Sequence, residues 1–136
     1  LEHLAAELGK FKGDGAGDLA RAREWMFWDF DRLAGPIYRS RAQRFGIRNF
    51  TQAIMEMYWA EGSMALKVLD EALASSDWLA GSQPTIGDID VYGVVAYAPQ
   101  AGFDLKAYPA IGAWMRRMEA LPGFIASDGL PRASRP

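Results

Sequence analysis

The chain has 136 residues, half of them apolar, with a formal charge of −2 and a pI of ≈ 5.4. That length allows one domain burying roughly two thirds of its unfolded surface, and the charge gives no electrostatic reason to expect nucleic acid or an anionic membrane as partner. The absence of cysteine excludes disulfides, thiol catalysis and thiolate metal sites and is compatible with a cytoplasmic protein, while no apolar run approaches the ~20 residues of a membrane span and no signal-peptide pattern opens the chain.

Leu1 to Gly9 reads as the last two turns of an amphipathic helix, with Leu1, Leu4, Ala5 and Leu8 on one stripe and Gly9 as its stop. It has no start signal, and the first residue is not methionine, so the chain is read as part of something longer. Gly9 to Gly17 is a glycine-rich linker rather than a phosphate cradle, because no strand precedes it and no Gly-Lys-Ser/Thr follows. The expected division is 1–12 for the end of an upstream unit plus linker, 13–126 for a helical domain, and 127–136 for a loosely ordered tail.

Asp18 is the expected N-cap of a long helix whose core stripe is Leu19, Ala22, Met26, Phe30, Leu33 and Ile37. A second face holds Trp25, Trp28, Asp29 and Arg32, and a third holds Phe27, Asp31, Ala34 or Gly35, and Tyr38. Both mix aromatics with charge, which a solvated face usually avoids, so something else should cover them. Gly35-Pro36 should kink the helix near Arg32, because proline removes a backbone donor and crowds the carbonyl four residues back. Arg39, Arg41, Arg44 and Arg48 follow. The helix macrodipole favours cations there, and ion pairing with Glu56, Glu61, Asp70 and Glu71 of the next helix is expected rather than nucleic-acid binding.

Asn49 or Thr51 caps that next helix, which should run to about Ala74, ~24 residues or some 36 Å. Its stripe is Phe50, Ile54, Met57 or Tyr58, Ala65, Val68 or Leu69, and Ala72 or Leu73, with Met55, Trp59 and Gly62 on a second stripe. Ser75 to Pro84 is a turn in which Trp78 and Leu79 plug the base of the core. Thr85-Ile86-Gly87-Asp88 is then a capping box, each side chain able to satisfy the other's amide. From Ile86 to Ala98 the chain is apolar on nearly every face except at Asp88 and Asp90, which marks a central helix. Two apart on a helix, those aspartates point to different sides and cannot share a site. Asp88 is a cap, and Asp90 has no assigned role.

Pro99 ends this helix, Gly102 to Leu105 forms a turn, and Pro109 sits in the first turn of a last helix from about Ala107 to Ala120. Ile111, Trp114, Met115, Met118 and Leu121 make its buried face, and Pro122-Gly123 stops it. No strand-like alternation lasts, so the fold expected is an all-α bundle of about five main helices around the central helix at 85–98. His3 is expected at the surface; no nucleophile elbow and no metal set exist, so no catalytic residue is expected in this chain.

Trp78-Leu79-Ala80-Gly81, Pro84 to Ile89, Gly102 to Leu105, Tyr108-Pro109 and Leu121 to Phe124 recur in an order and spacing that resembles the C-terminal helical domain of cytosolic, bacterial-type glutathione S-transferases. Pro84 departs from the pattern, standing where the family often places an aliphatic residue against the position of Ile89. The resemblance implies that residues 1–12 end a thioredoxin-like domain that binds glutathione and carries the catalytic residue. It implies glutathione as co-substrate with no tightly bound cofactor, a hydrophobic electrophile as the second substrate, a homodimer, and Trp28, Asp31, Arg32, Tyr38 and Tyr97 as electrophile-binding residues. This chain alone should then be inactive. The same fold also serves as a non-enzymatic docking module in translation-factor complexes, which is the alternative function.

Overall fold

The computed structural model describes residues 1–126. In chain order the elements are α1 Glu2–Leu8, α2 Ala16–Trp28, a π-helical segment Asp29–Leu33, α3 Ala34–Arg44, α4 Gln52–Leu73, α5 Ile86–Val95, α6 Ala98–Ala101, a 3₁₀ turn Leu105–Ala107, and α7 Pro109–Glu119. All regular structure among the described residues is helical, as the sequence pattern requires. None of these helices is long and apolar enough to cross a membrane. The expected tail at 127–136 lies outside the described residues.

Thr85 and Asp88 start α5 as their spacing dictates. The Thr85 amide donates to Asp88 Oδ2 at 2.8 Å and the Thr85 side chain accepts the Asp88 amide, completing the reciprocal cap; the Thr85 hydroxyl also lies 3.0 Å from Asp88 Oδ2. Ile86, Asp88, Val91, Val94 and Val95 of this helix are buried. Val91, Val94 and Val95 pack in one cluster with Leu33 and Ile37, with Leu66, Leu69 and Leu73 of α4, and with Ile111, Trp114 and Met118 of α7. The helix stops at Val95, short of Ala98. Pro99 has no N–H to give the Val95 carbonyl, so the chain turns at Ala96 and Tyr97, and Pro99 falls in the first turn of the short α6.

The long helix differs more from its pattern. Phe30, expected in the core, is 83% exposed, and Asp29 is inside at 4%. The break predicted near Arg32 takes the form of a π turn in which the Ala34 amide donates to the Asp29 carbonyl five residues back. Pro36 cannot donate to Arg32, which accounts for the break; Asp29 follows fully buried Ala22 by two helical turns and so shares its inward face, while Phe30 falls roughly 80° away from it. Upstream, α2 begins at Ala16 with Gly15 as N-cap. Asp18 is therefore not the cap; it lies in the first turn and accepts the Asp14 amide at 2.9 Å.

Thr51 is the cap of α4, its Oγ1 accepting the Ile54 amide at 3.4 Å. Of the expected stripe of α4, Tyr58, Ala65, Leu69 and Leu73 are buried, together with Leu66 and with Met55 and Gly62 of the expected second stripe, while Ile54, Met57 and Val68 are exposed. At Gly62 an added Cβ would come within 2.5 Å of the Phe103 ring and 3.2 Å of Pro36, so only a bare backbone fits against them. From the same helix Asp70 accepts the Ile111 amide at 2.9 Å and so satisfies a free donor at the start of α7. The last helix itself starts at Pro109, two residues later than expected.

The arginines that end α3 do not pair with the acidic residues of α4 among the described residues. Arg39 lies over the Tyr58 ring at 5.4 Å instead, and Arg41 over Phe45 and Tyr97 at 5.1 and 4.4 Å. A guanidinium stacks on a nearby aromatic face at less entropic cost than reaching across to a solvated carboxylate.

Candidate functional site

Two separate places hold the residues singled out from the sequence. Trp28, Asp31 and Arg32 line a groove of ≈ 340 Å³ whose other wall is Glu61, Met64, Ala65 and Val68 of α4. Asp31 and Arg32 form an ion pair at 2.7 Å, but both side chains are about two-thirds exposed, so the pair contributes little stability. Around the groove the surface is apolar and uncovered, with Phe27 at 75% and Met64 at 65% exposure.

Tyr38 and Tyr97 are not part of that groove. They meet where α3 passes α5, with ring centroids 6.2 Å apart, and the Tyr38 hydroxyl reaches the Gly93 carbonyl at 3.5 Å. Arg41 completes the group. Its Nε donates to Gln100 Oε1 at 2.7 Å while its guanidinium covers the Tyr97 ring.

Asp29 belongs to this second place, and its role there is not apparent from the sequence. Its carboxyl is pushed up to about 7 by burial and, secondarily, by the charge of Asp90. Its Oδ1 is buried without a hydrogen-bond partner among the described residues. Burial also raises the Tyr38 phenol, helped by the charge of Asp29 and opposed by Arg41. Asp90 is raised by burial as well. Asp90 thus acquires an electrostatic setting that the sequence left blank. Gly35-Pro36 signals the break in the helix, whereas the inward position of Asp29 follows from its place two turns after buried Ala22, a face on which the expected core stripe ran through Phe30 instead.

Residues 61–122 match the family model described as "Glutathione S-transferase, C-terminal domain". The chain superposes on a glutathione S-transferase from Xanthobacter autotrophicus Py2 with a TM-score of 0.86 and 30% identity, over 95% of this chain and 63% of that one. A possible glutathione S-transferase from Rhodopseudomonas palustris gives 0.84 and 33%, over 99% and 64%. The helical unit is of the glutathione S-transferase C-terminal type. The disulfide-bond oxidoreductase YfcG of Escherichia coli (strain K12) is 26% identical to it over 122 residues, 90% of this chain and 57% of the relative. The transferase-type domain thus spans less than two thirds of the length of each of these relatives.

Within this transferase-type domain Asp88 is structural. Besides the Thr85 cap it accepts the Leu79 amide and the Trp114 indole N–H, both at 3.0 Å on Oδ1. Every oxygen of the carboxylate is engaged and fully buried. It is a joint between helices, with nothing left to offer a ligand.

Proposed function

We propose that this domain supplies the electrophile-binding wall of a glutathione transferase and one face of its homodimer, in the cytoplasm. In this reading residues 1–12 follow a thioredoxin-like domain, residues 13–126 form the helical domain, and residues 127–136 trail from it. The thioredoxin-like domain binds glutathione and lowers the pKa of its thiol. The thiolate then adds to a hydrophobic electrophile held against the helices, which contribute position rather than proton transfer.

The observation that carries this reading is the Tyr38–Tyr97 pair, with Tyr38 left 43% exposed where α3 crosses α5. An aromatic pair open on one side offers a flat apolar ligand both area and edge contacts. The groove at Trp28, Asp31 and Arg32 lies apart from it and is ringed by exposed Phe27 and Met64; such a surface fits a second subunit better than a small substrate.

In the full-length protein, Tyr38→Ala should raise the KM for the electrophile several-fold and leave that for glutathione unchanged. Equal loss of both would count against the assignment, as would conjugating activity from this chain alone. The curated relative's name points to a second chemistry, disulfide reduction. This chain has no cysteine, so in that chemistry the thiols would come from glutathione or from the rest of the protein. The non-enzymatic alternative, a docking module, draws on exposed Phe27 and Phe30 and predicts no turnover from the full-length protein with either substrate.

A further inference from the structure

Gly93 lies on the exposed side of α5, and a Cβ built on it meets no atom within 4 Å. The helix surface is open there. Asp90 lies one turn before Gly93 on the same face of α5, and Tyr97 follows just beyond the end of that helix. Tyr38 comes across from α3, its hydroxyl at the Gly93 carbonyl and its ring beside Tyr97. Asp29 lies close enough to raise the Tyr38 phenol, and Asp90 close enough to raise Asp29.

The charges at this notch do not balance. Among the described residues neither Asp29 nor Asp90 has an ion-pair or hydrogen-bond partner for its carboxylate. The cation acting there among the described residues is Arg41, already committed to Gln100 and to the Tyr97 ring. A neutral apolar ligand would have to cover the Asp90 carboxylate, with the buried Asp29 behind it, and gain nothing from either. A cation would gain from the carboxylates and from the aromatic faces together. The guanidinium already resting on Tyr97 shows that this ring accepts one.

We propose that the notch over Gly93 binds an organic cation, an ammonium or quaternary ammonium group held between Asp90 and the rings of Tyr38 and Tyr97. The inference rests on the reading of Tyr38 and Tyr97 as the electrophile wall and narrows the electrophiles to those carrying such a group. Asp29 adds a second negative charge as pH rises through about 7, so affinity for the cation increases from about pH 6 to about pH 8.

The test uses the chain with its N-terminus acetylated, which removes the terminal charge as a competitor. It is titrated with choline and with the neutral isostere 3,3-dimethylbutan-1-ol, following the backbone amides of Gly93 and Tyr97 by NMR. Choline should bind about fivefold tighter than the alcohol, and Asp90→Asn should cut that preference to about half or less. Asp29→Asn should remove the rise with pH, and Gly93→Leu should weaken both probes. Equal affinities, or a choline preference that Asp90→Asn leaves unchanged, overturn the inference. Binding of the alcohol alone overturns it while leaving the electrophile wall standing; no response to either probe counts against both.

Discussion

The indole Nε1 of Trp114 donates to Asp88 Oδ1 at 3.0 Å, with both side chains fully buried. The same oxygen takes the Leu79 amide, and the other takes Thr85, so one carboxylate ties α7 and the 75–84 turn to the start of the central helix. A cap read from four consecutive residues is therefore also the link between segments far apart in the chain.

Removing Asp88 should be severe. Asp88→Ala leaves buried donors on Leu79, Thr85 and Trp114 without an acceptor and should cost about 3–5 kcal/mol in urea unfolding. Trp114→Phe, which leaves the other donors satisfied, should cost about 1–3 kcal/mol. In a double-mutant cycle the two losses should fall short of additive, because one interaction is shared. Full additivity would mean that the bond contributes nothing to stability.

Asp29 sets a pH dependence of stability. Its folded pKa, about 7, lies above its ordinary value, so the folded chain holds a proton that the unfolded chain has released. Stability tied to this group is therefore present at low pH and falls as pH rises from about 4 through about 7. Asp29→Asn removes that dependence. Relative to the parent chain it should gain on the order of 2 kcal/mol between about pH 5 and about pH 8, measured by denaturant midpoints. Parallel pH profiles for the two chains would contradict the buried, unpartnered carboxylate.

Gly87 allows α2 and α5 to approach closely. A Cβ there would lie 3.0 Å from the Ala22 carbonyl oxygen and 3.1 Å from its Cα, both backbone atoms that cannot rotate aside. Gly87→Ala should therefore destabilise by about 1–3 kcal/mol, despite the ~1 kcal/mol that alanine gains over glycine as a helix former. At Gly93, where an added Cβ meets nothing, the same substitution should stabilise by up to ~1 kcal/mol. Thermal unfolding of the two variants should show opposite signs.

Met64 lines the groove opposite Trp28 and is 65% exposed, so Met64→Asp should change the stability of the monomer by no more than about 0.5 kcal/mol. If the uncovered face around Trp28 and Met64 joins two subunits, the same variant should dissociate the full-length dimer in sedimentation velocity. A variant that remains dimeric would remove this face from the interface.

Local signals in the chain were legible because their physics spans only a few residues. The Thr85–Asp88 cap, the Thr51 cap, the Gly9 stop and Pro109 at the head of the last helix each follow from hydrogen bonds or steric limits within one turn, and the all-helical fold follows from the 3.6-residue apolar period. Which face of a helix turns inward is a different matter, because it depends on what packs there. The inward face of α4 is held at Gly62 by Phe103 and Pro36, and Asp29 is inward because it follows Ala22 by two turns on the face against which Gly87 of α5 packs. The five residues expected in one pocket separate for the same reason, Trp28, Asp31 and Arg32 facing α4 while Tyr38 meets Tyr97 just beyond α5. Caps, stops, the all-helical class and the central helix follow from signals within a turn or two of chain; several helix ends, the rotation of each helix about its axis and the charged side chains left without partners follow from packing between residues far apart in the chain.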